Sequence, residues 1–187
     1  MIVLCGTNRP EANSRKIAKH IFDLLSARYA SSPLDQKLGP LLYMDLADLQ
    51  QDIFEPSNYA AKPQWFTTKF QAPILAAKGL LVITPEYNGS FPGVLKYFVD
   101  MLKFPESLVG LPVAFVGVAA GVFGALRSVE QLTTIFQYRN ANVFGEKIYI
   151  PKVNEVIKPD GSIGAHEERL KTLVNNFTNF CDRLASK

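Results

Sequence analysis

The sequence is poor in cysteine, histidine and long apolar runs, and each shortage excludes a class of protein. Its 187 residues include two cysteines, Cys5 and Cys181, at opposite ends of the chain and without metal or redox spacing. We therefore expect buried, reduced thiols and a cytoplasmic protein. No apolar stretch reaches the roughly 18 residues that a membrane span needs, and the first six residues lack the basic start of a signal peptide. No membrane partner is expected.

Neither sign of charge is in large excess. Twenty basic and 17 acidic residues give a formal charge of +3 and are scattered without a block, which argues against nucleic acid as a partner. A small anionic ligand remains compatible with this balance. The two histidines, His20 and His166, have no Cys, Asp or second His near them at ligand spacing, so no metal site is expected.

What the sequence does contain is a regular alternation of short apolar runs and amphipathic stretches. Strands are predicted at residues 2–5, 41–46, 80–84, 111–118 and 143–150, and helices at about 17–28, 65–77, 94–103, 124–139 and 165–184. Residues 47–62 are polar and contain Pro56, so we expect an irregular excursion there. Strands that alternate with helices predict an α/β fold with a doubly wound parallel sheet. We expect residues 1–187 to form a single domain.

The loop after the first predicted strand, residues 6–14, carries a group of polar side chains just before a helix. Thr7 and Ser14 supply hydroxyls, Asn13 an amide and Arg9 a guanidinium. Oriented N–H groups and a bidentate cation are what a phosphate dianion requires. The loop lacks the signatures of a P-loop and of a dinucleotide fingerprint, which favours a mononucleotide. The alternative is that Asn13 or Ser14 merely caps the helix.

The loop after the third predicted strand combines rigid and permissive backbone. It contains Pro85, Glu86, Tyr87, Asn88 and Gly89 and continues to Lys96. Two prolines, two glycines and little bulk suit a flat polar ligand that lies against the end of a strand. The alternative is that Glu86 and Asn88 only shape a turn and cap the next helix. Tyr87 is either a wall of the ligand pocket or an ordinary half-buried aromatic.

A third loop, with Ala120 and Gly121, follows the fourth predicted strand. In a doubly wound sheet all three loops gather on the edge where the strands have their carboxyl ends, which is where such folds bind ligands. Arg127, on the helix that follows, is expected to be a solvated surface residue.

With these motifs the chain resembles the NAD(P)H-dependent FMN reductase family of flavodoxin-like proteins, which includes quinone, azo-dye and chromate reductases. The resemblance implies a flavodoxin-like five-stranded parallel sheet of order 2-1-3-4-5 with helices on both faces. It also implies which residues hold FMN. Those for the phosphate are Thr7, Arg9, Asn13 and Ser14; those along the isoalloxazine are Pro85, Glu86, Tyr87, Asn88 and Gly89; and those of the third loop are Ala120 and Gly121.

The function that the resemblance implies is hydride transfer from NADH or NADPH through FMN to a small acceptor, such as a quinone, azo compound, free flavin or metal oxyanion. Such chemistry needs stacking and N–H donors more than an acid–base pair. We expect the N–H groups of residues 88–90 at the flavin N5 and O4 edge, and those of Ala120 and Gly121 at the N1 and O2 edge. The alternative is a flavodoxin-like electron carrier or FMN-binding sensor without NAD(P)H turnover. The slightly basic charge and Arg9 favour the enzyme.

The helix region from Val94 to Phe104 is apolar around more than one face. We expect Tyr97, Phe98 and Met101 to form an exposed second face. Together with the family resemblance, this predicts a homodimer or a tetramer through that region. The alternative is that residues 47–62 cover the helix.

Overall fold

The computed structural model describes residues 1–185, which build a parallel sheet with helices on both faces. The strands are β1 (Ile2–Cys5), β2 (Leu42–Asp45), β3 (Leu80–Pro85), β4 (Pro112–Val118), β5 (Asn142–Val143) and β6 (Ile148–Ile150). Their hydrogen-bonded order is β2-β1-β3-β4-β5, with β6 also paired to β4, and every pairing is parallel. This confirms the predicted strand order and the flavodoxin-like doubly wound topology.

The helices follow the predicted alternation. They are α1 (Asn13–Ala30), α2 (Leu34–Leu38), α3 (Gln64–Phe66), α4 (Ala72–Ala76), α5 (Gly93–Met101), α6 (Leu126–Tyr138), α7 (Val153–Val156) and α8 (His166–Ala185). A π turn over Thr67–Gln71 joins α3 to α4, so the predicted helix at 65–77 is present. α6 begins at Leu126 instead of 124, because Gly124 and Ala125 both have positive φ. Among residues 1–185, no helix is long and apolar enough to cross a membrane.

The central strand β3 is buried on both faces, as its unbroken apolar run predicts. Leu81 and Ile83 pack in the layer that holds α1 and α8. Leu80 and Val82 point to the opposite layer, with α5 and α6. Because alternate side chains anchor the strand to both layers, the loop at its carboxyl end starts from a fixed edge of the sheet.

The predicted strand at 143–150 is wrong as a single element. The chain pairs with β4 through β5, leaves the sheet, and returns as β6. Between the two lie Phe144, which packs on Phe177 and Phe180, and the polar stretch of residues 145–147. Gly145 has no side chain to pack and is exposed, which weakens pairing at that point.

The predicted second exposed face of α5 is also wrong. Phe98 and Met101 are 1% and 0% exposed and belong to the core. Tyr97 is half-buried beneath the irregular segment 46–62. Its hydroxyl donates to the Ile53 carbonyl at 2.6 Å, and its ring centroid lies 4.7 Å from that of Phe54. That segment forms three short 3-10 turns, so the alternative interpretation of residues 47–62 as a cover is the correct one.

Candidate functional site

The three predicted loops meet at the carboxyl edge of the sheet around a cleft of about 370 Å³. Drug-sized ligands and cofactors commonly occupy clefts of roughly 300–1,000 Å³. Seven of the predicted site residues line it: Arg9, Asn13, Ser14, Pro85, Glu86, Tyr87 and Ala120. The lining is completed by Pro10, Glu11, Ala12, Val118, Ala119, Val153 and Asn154. The other four predicted residues, Thr7, Asn88, Gly89 and Gly121, lie beneath or beside the cleft.

The amino end of α1 opens into this cleft without a side-chain cap. The N-cap position is Ala12, which cannot accept a hydrogen bond, so the alternative interpretation of Asn13 or Ser14 as the cap is wrong. Ser14 is 2% exposed, and its hydroxyl has no hydrogen-bond partner among residues 1–185. A buried unpaired polar group costs about 1–3 kcal/mol. An anion at this end of the cleft would pair with that hydroxyl and with the backbone N–H groups of Asn13 and Ser14, since the Arg15 N–H already donates to the Ala12 carbonyl.

Thr7 lies under the cleft and joins the first two loops. Its side chain is fully buried, and its Oγ1 accepts the Arg9 backbone N–H at 3.2 Å. The same hydroxyl is 3.1 Å from the Tyr87 hydroxyl. The exposed Arg9 guanidinium lies 5.8 Å from the centroid of the Tyr87 ring, at the rim of the cleft. Thr7 therefore acts on the cleft through its neighbours, whereas Arg9 offers its charge directly.

The first loop is held in place by Arg15 and Asp45, which the sequence analysis missed. The Arg15 guanidinium binds both carboxylate oxygens of Asp45, with Nε at 2.6 Å and Nη2 at 3.2 Å. Its Nη1 donates to the Arg9 carbonyl at 2.9 Å. The hydrogen bonds to Asp45 raise the pKa of Arg15 above its usual value. The available signal was a carboxylate at the end of β2, on the same edge as the loop.

The second loop is a tight hairpin. Tyr87 and Ser90 exchange both backbone hydrogen bonds, at 2.8 and 3.1 Å, across an antiparallel bridge. The two residues of the turn, Asn88 and Gly89, have φ of 53° and 75°, as a type I′ turn requires. Because the Ser90 N–H is used inside the hairpin, its predicted role at a flavin edge is wrong. Asn88 and Gly89 form the tip, beyond the cleft lining.

Residues of α6 fasten this hairpin from the side. Arg127 Nη1 binds Glu86 Oε1 at 2.5 Å, and Gln131 Nε2 donates to the Gly89 carbonyl at 3.3 Å. Ser90 Oγ donates to Gln131 Oε1 at 2.6 Å. Arg127 is exposed at the surface, as expected, and it also contacts Glu86 of the cleft lining, which the sequence did not predict. Sequence reasoning could not pair it with Glu86, 41 positions away.

The third loop is fixed from the opposite side by the chain that follows β6. The Ala119 N–H donates to the Ile150 carbonyl at 3.0 Å, and the Lys152 N–H donates to the Gly121 carbonyl at 3.0 Å. Asn154, on α7, accepts a hydrogen bond from the Asn13 side chain at 2.7 Å. This fourth loop was missed, although β6 also ends at the carboxyl edge.

The thiol nearest the site is not available for chemistry. Cys5 is fully buried at the end of β1, and burial raises its pKa to about 11. This confirms the prediction that Cys5 is a core residue. Within residues 1–185, no group of three or more His, Cys, Asp or Glu side chains is placed to hold a metal ion.

Comparison with known proteins assigns the family. The model of the NADPH-dependent FMN reductase family matches residues 1–155. The chain belongs to this family. An NAD(P)H-dependent FMN reductase of Pseudomonas aeruginosa is 35% identical over 115 residues, which are 58% of this chain and 62% of that protein. The chain thus spans somewhat less than two thirds of that relative.

Other relatives are similar over more of their length. A quinone reductase of Escherichia coli K12 is 31% identical over 167 residues, which are 87% of this chain and 84% of that relative. Among solved structures, FerB of Paracoccus denitrificans, a flavoenzyme NAD(P)H:(acceptor) oxidoreductase, superposes with a TM-score of 0.77 over 97% of this chain and 96% of its own, at 23% identity. That structural likeness supports the fold alone.

Proposed function

We propose that this protein binds FMN in the cleft and transfers hydride from NADH or NADPH, through the flavin, to a small acceptor. Candidate acceptors are quinones, azo compounds, free flavins and metal oxyanions. Family membership supports the reaction class, and the relatives named above support the nicotinamide and quinone chemistry. FMN would supply the hydride chemistry, and the chain would supply binding and orientation.

The observation that carries this proposal is the unpaired, buried hydroxyl of Ser14 beside the uncapped end of α1. Free N–H groups, a hydroxyl and the nearby Arg9 together fit the phosphate of a mononucleotide. Asn13 adds an amide at the same place, although its side chain is bonded to Asn154. Glu11 lies on the cleft rim and is exposed, so it can turn away from an anion.

The remaining predicted contacts fall along the flavin ring. We propose that Pro85, Glu86 and Tyr87 form one wall and that the Asn88 and Gly89 N–H groups approach the N5 edge. Ala120 and Gly121 would face the N1 and O2 edge with backbone N–H groups, for which we find no hydrogen-bond partner within residues 1–185. Thr7 would support the phosphate loop from below.

A spectroscopic titration tests the proposal. Protein equilibrated with FMN and freed of excess ligand should be yellow and should lose its visible flavin absorbance, on the order of seconds, when NADH or NADPH is added without air. Yellow protein that stays oxidised would support the carrier or sensor instead. Colourless protein that takes up no FMN would contradict both functions.

Two further proposals concern the state of the protein. We propose a homodimer that forms near α5, through the irregular segment 46–62 that covers this helix. Phe54 and Tyr59 of that segment are 51% and 57% exposed, and Phe104 nearby is 65% exposed. Sedimentation equilibrium would test it, since a monomer at micromolar concentration contradicts it. A cytoplasmic location is supported by two buried free thiols, Cys5 and Cys181.

A further inference from the structure

A second compartment adjoins the cleft on the side of β4. Its volume is about 420 Å³, and it shares Glu86, Ala119 and Ala120 with the cleft. The rest of its lining consists of Gly121, Val122, Phe123, Ala125 and Arg127. We call it the side compartment. Because the two spaces share a wall, a molecule in the side compartment would lie next to a ligand that fills the cleft.

The side compartment has an apolar wall that is open to solvent. Val122 and Phe123 are 65% and 56% exposed, although both side chains are large and apolar. The lining also includes Ala119, Ala120 and Gly121, whose small size leaves room for a flat ring. Covering Val122 and Phe123 with a ligand ring would remove apolar surface from water, which favours binding.

The same compartment carries a positive charge at its mouth. The Arg127 guanidinium lies over the Phe123 ring, 4.8 Å from its centroid, and binds Glu86 through Nη1. The side chain of Arg127 is 50% exposed, whereas that of Glu86 is 12% exposed. A ligand that approaches from solvent therefore meets the guanidinium before the carboxylate. Within residues 1–185 Glu86 is the one hydrogen-bond partner of this guanidinium, so most of its N–H donors stay free.

We propose that the side compartment binds the electron acceptor and selects planar aromatic acceptors that carry an anionic group, such as sulfonated quinones. The ring would lie against Val122 and Phe123, and the anion would bind Arg127. This inference rests on the proposed function. In the reaction the quinone gains two electrons and two protons and becomes a hydroquinone. One hydride equivalent comes from NADH or NADPH, which is oxidised, and one proton comes from solvent.

The test compares two acceptors that differ by one charged group, 1,4-naphthoquinone and 1,4-naphthoquinone-2-sulfonate. Initial rates are measured with FMN-loaded protein at saturating NADH or NADPH, and the quantity compared is the ratio of kcat/KM for the sulfonate to that for the neutral quinone. We expect Arg127→Ala to lower this ratio about tenfold, as for the loss of one charge-assisted contact. Arg127→Lys keeps the positive charge but loses the bidentate donor geometry of the guanidinium, so it should lower the ratio less.

A matched control removes a similar cation elsewhere. Lys171 on α8 is 46% exposed and pairs with Glu168, much as Arg127 pairs with Glu86. Lys171→Ala should leave the ratio within a factor of about two. A second variant, Phe123→Ala, should raise KM for both quinones, because it removes part of the apolar wall while Arg127 keeps its charge and its contact with Glu86.

Three results would overturn the inference. An unchanged ratio in Arg127→Ala, with both quinones affected alike, would mean that Arg127 acts only by holding Glu86. A raised KM for NADH or NADPH together with an unchanged ratio would assign the guanidinium to the phosphates of the nicotinamide cosubstrate. Wild-type protein that takes up no FMN, or whose bound FMN neither nicotinamide reduces, would instead defeat the proposed function and this inference with it.

Discussion

The hydroxyl of Ser14 is a buried group of the candidate site whose hydrogen-bonding capacity residues 1–185 leave unused. It is buried at the uncapped end of a helix of 18 residues and has no hydrogen-bond partner in the described part of the chain. Thr7, earlier in the same loop, differs from Ser14 because its hydroxyl already accepts a hydrogen bond from the Arg9 backbone and lies close to the Tyr87 hydroxyl. The two residues were predicted to share a role, but their surroundings separate them. We therefore expect substitutions at the two positions to affect stability and FMN binding differently.

Replacing Ser14 by Ala should weaken FMN binding without weakening the fold. Removing an unpaired buried hydroxyl relieves a desolvation cost, so the free energy of unfolding of the protein without ligand should stay constant or rise by up to about 1 kcal/mol. The FMN dissociation constant should rise about tenfold or more, which corresponds to roughly 1.4 kcal/mol. Urea unfolding and fluorescence titration of FMN measure the two quantities. Equal FMN affinity in both proteins would show that Ser14 does not touch the ligand.

At the scale of elements, the first loop depends on the ion pair between Arg15 and Asp45. Both side chains are mostly buried, at 17% and 11% exposure. Asp45→Asn should cost about 1–3 kcal/mol of stability, because Arg15 then loses its charged partner while still buried. FMN affinity should fall as well, since Arg15 also holds the Arg9 carbonyl. Urea unfolding and FMN titration would detect the two losses.

A matched control for that substitution is available on α5. Asp100 pairs with Lys96, and the two side chains are 42% and 47% exposed. Asp100→Asn changes the same chemical group in an exposed pair, so it should alter stability by less than about 0.5 kcal/mol. If both substitutions cost the same, the Arg15 ion pair has no special structural role.

The hairpin makes a second prediction at this scale. Gly89 has φ of 75°, and a Cβ there would meet no atom closer than Arg127 Cδ at 3.9 Å. Substitution therefore acts through the backbone and not through a clash. Gly89→Val should cost about 1–2 kcal/mol and shift the absorbance of bound FMN, because the turn must deform. Asn88→Gly keeps the turn geometry and should change neither quantity much. An unaltered flavin spectrum in Gly89→Val would count against contact between this turn and the ring.

At the scale of the whole molecule, α1 and α8 form one layer of the core, which encloses both cysteines. Burial raises the pKa of Cys5 to about 11 and that of Cys181 to about 12, from an ordinary value of 9.0. A thiol whose pKa is raised by folding keeps its proton in the folded state after the unfolded chain has lost it. Folding is therefore favoured fully below pH 9, and this contribution is lost progressively as pH rises above 9.

The resulting prediction concerns alkaline stability. Between pH 9 and 11 each buried thiol should lower the free energy of unfolding by up to about 1.4 kcal/mol per pH unit. Cys181→Ala should show a shallower decline than wild type over that range, whatever its own cavity cost at neutral pH. Tyr149, whose pKa is raised to about 12, titrates in both proteins and does not affect the comparison. Parallel curves from urea unfolding at pH 8, 9, 10 and 11 would contradict it.

Local sequence was enough to predict those parts whose physical causes are local. The apolar runs predicted the strands and the sheet order came with the family motifs, while the Asn88–Gly89 pair was typical of the tight turn that is observed. The three loops could be assigned to one edge because parallel strands share a direction. The apolar pattern failed at residues 143–150, where it could not show that the chain leaves the sheet and returns.

What only the tertiary structure decided depends on contacts between distant residues. Arg15 meets Asp45 across 30 positions, Arg127 meets Glu86 across 41, and Asn13 meets Asn154 across 141. The neighbouring sequence of either partner does not indicate such a pair, because a charged or amide side chain is also stable when it is exposed to water. The cover over α5 is of the same kind, because whether Phe98 and Met101 are buried depends on where residues 46–62 fold back. The composition of the loops thus determined the kind of ligand to expect, and the packing of the helices determined which side chains surround it.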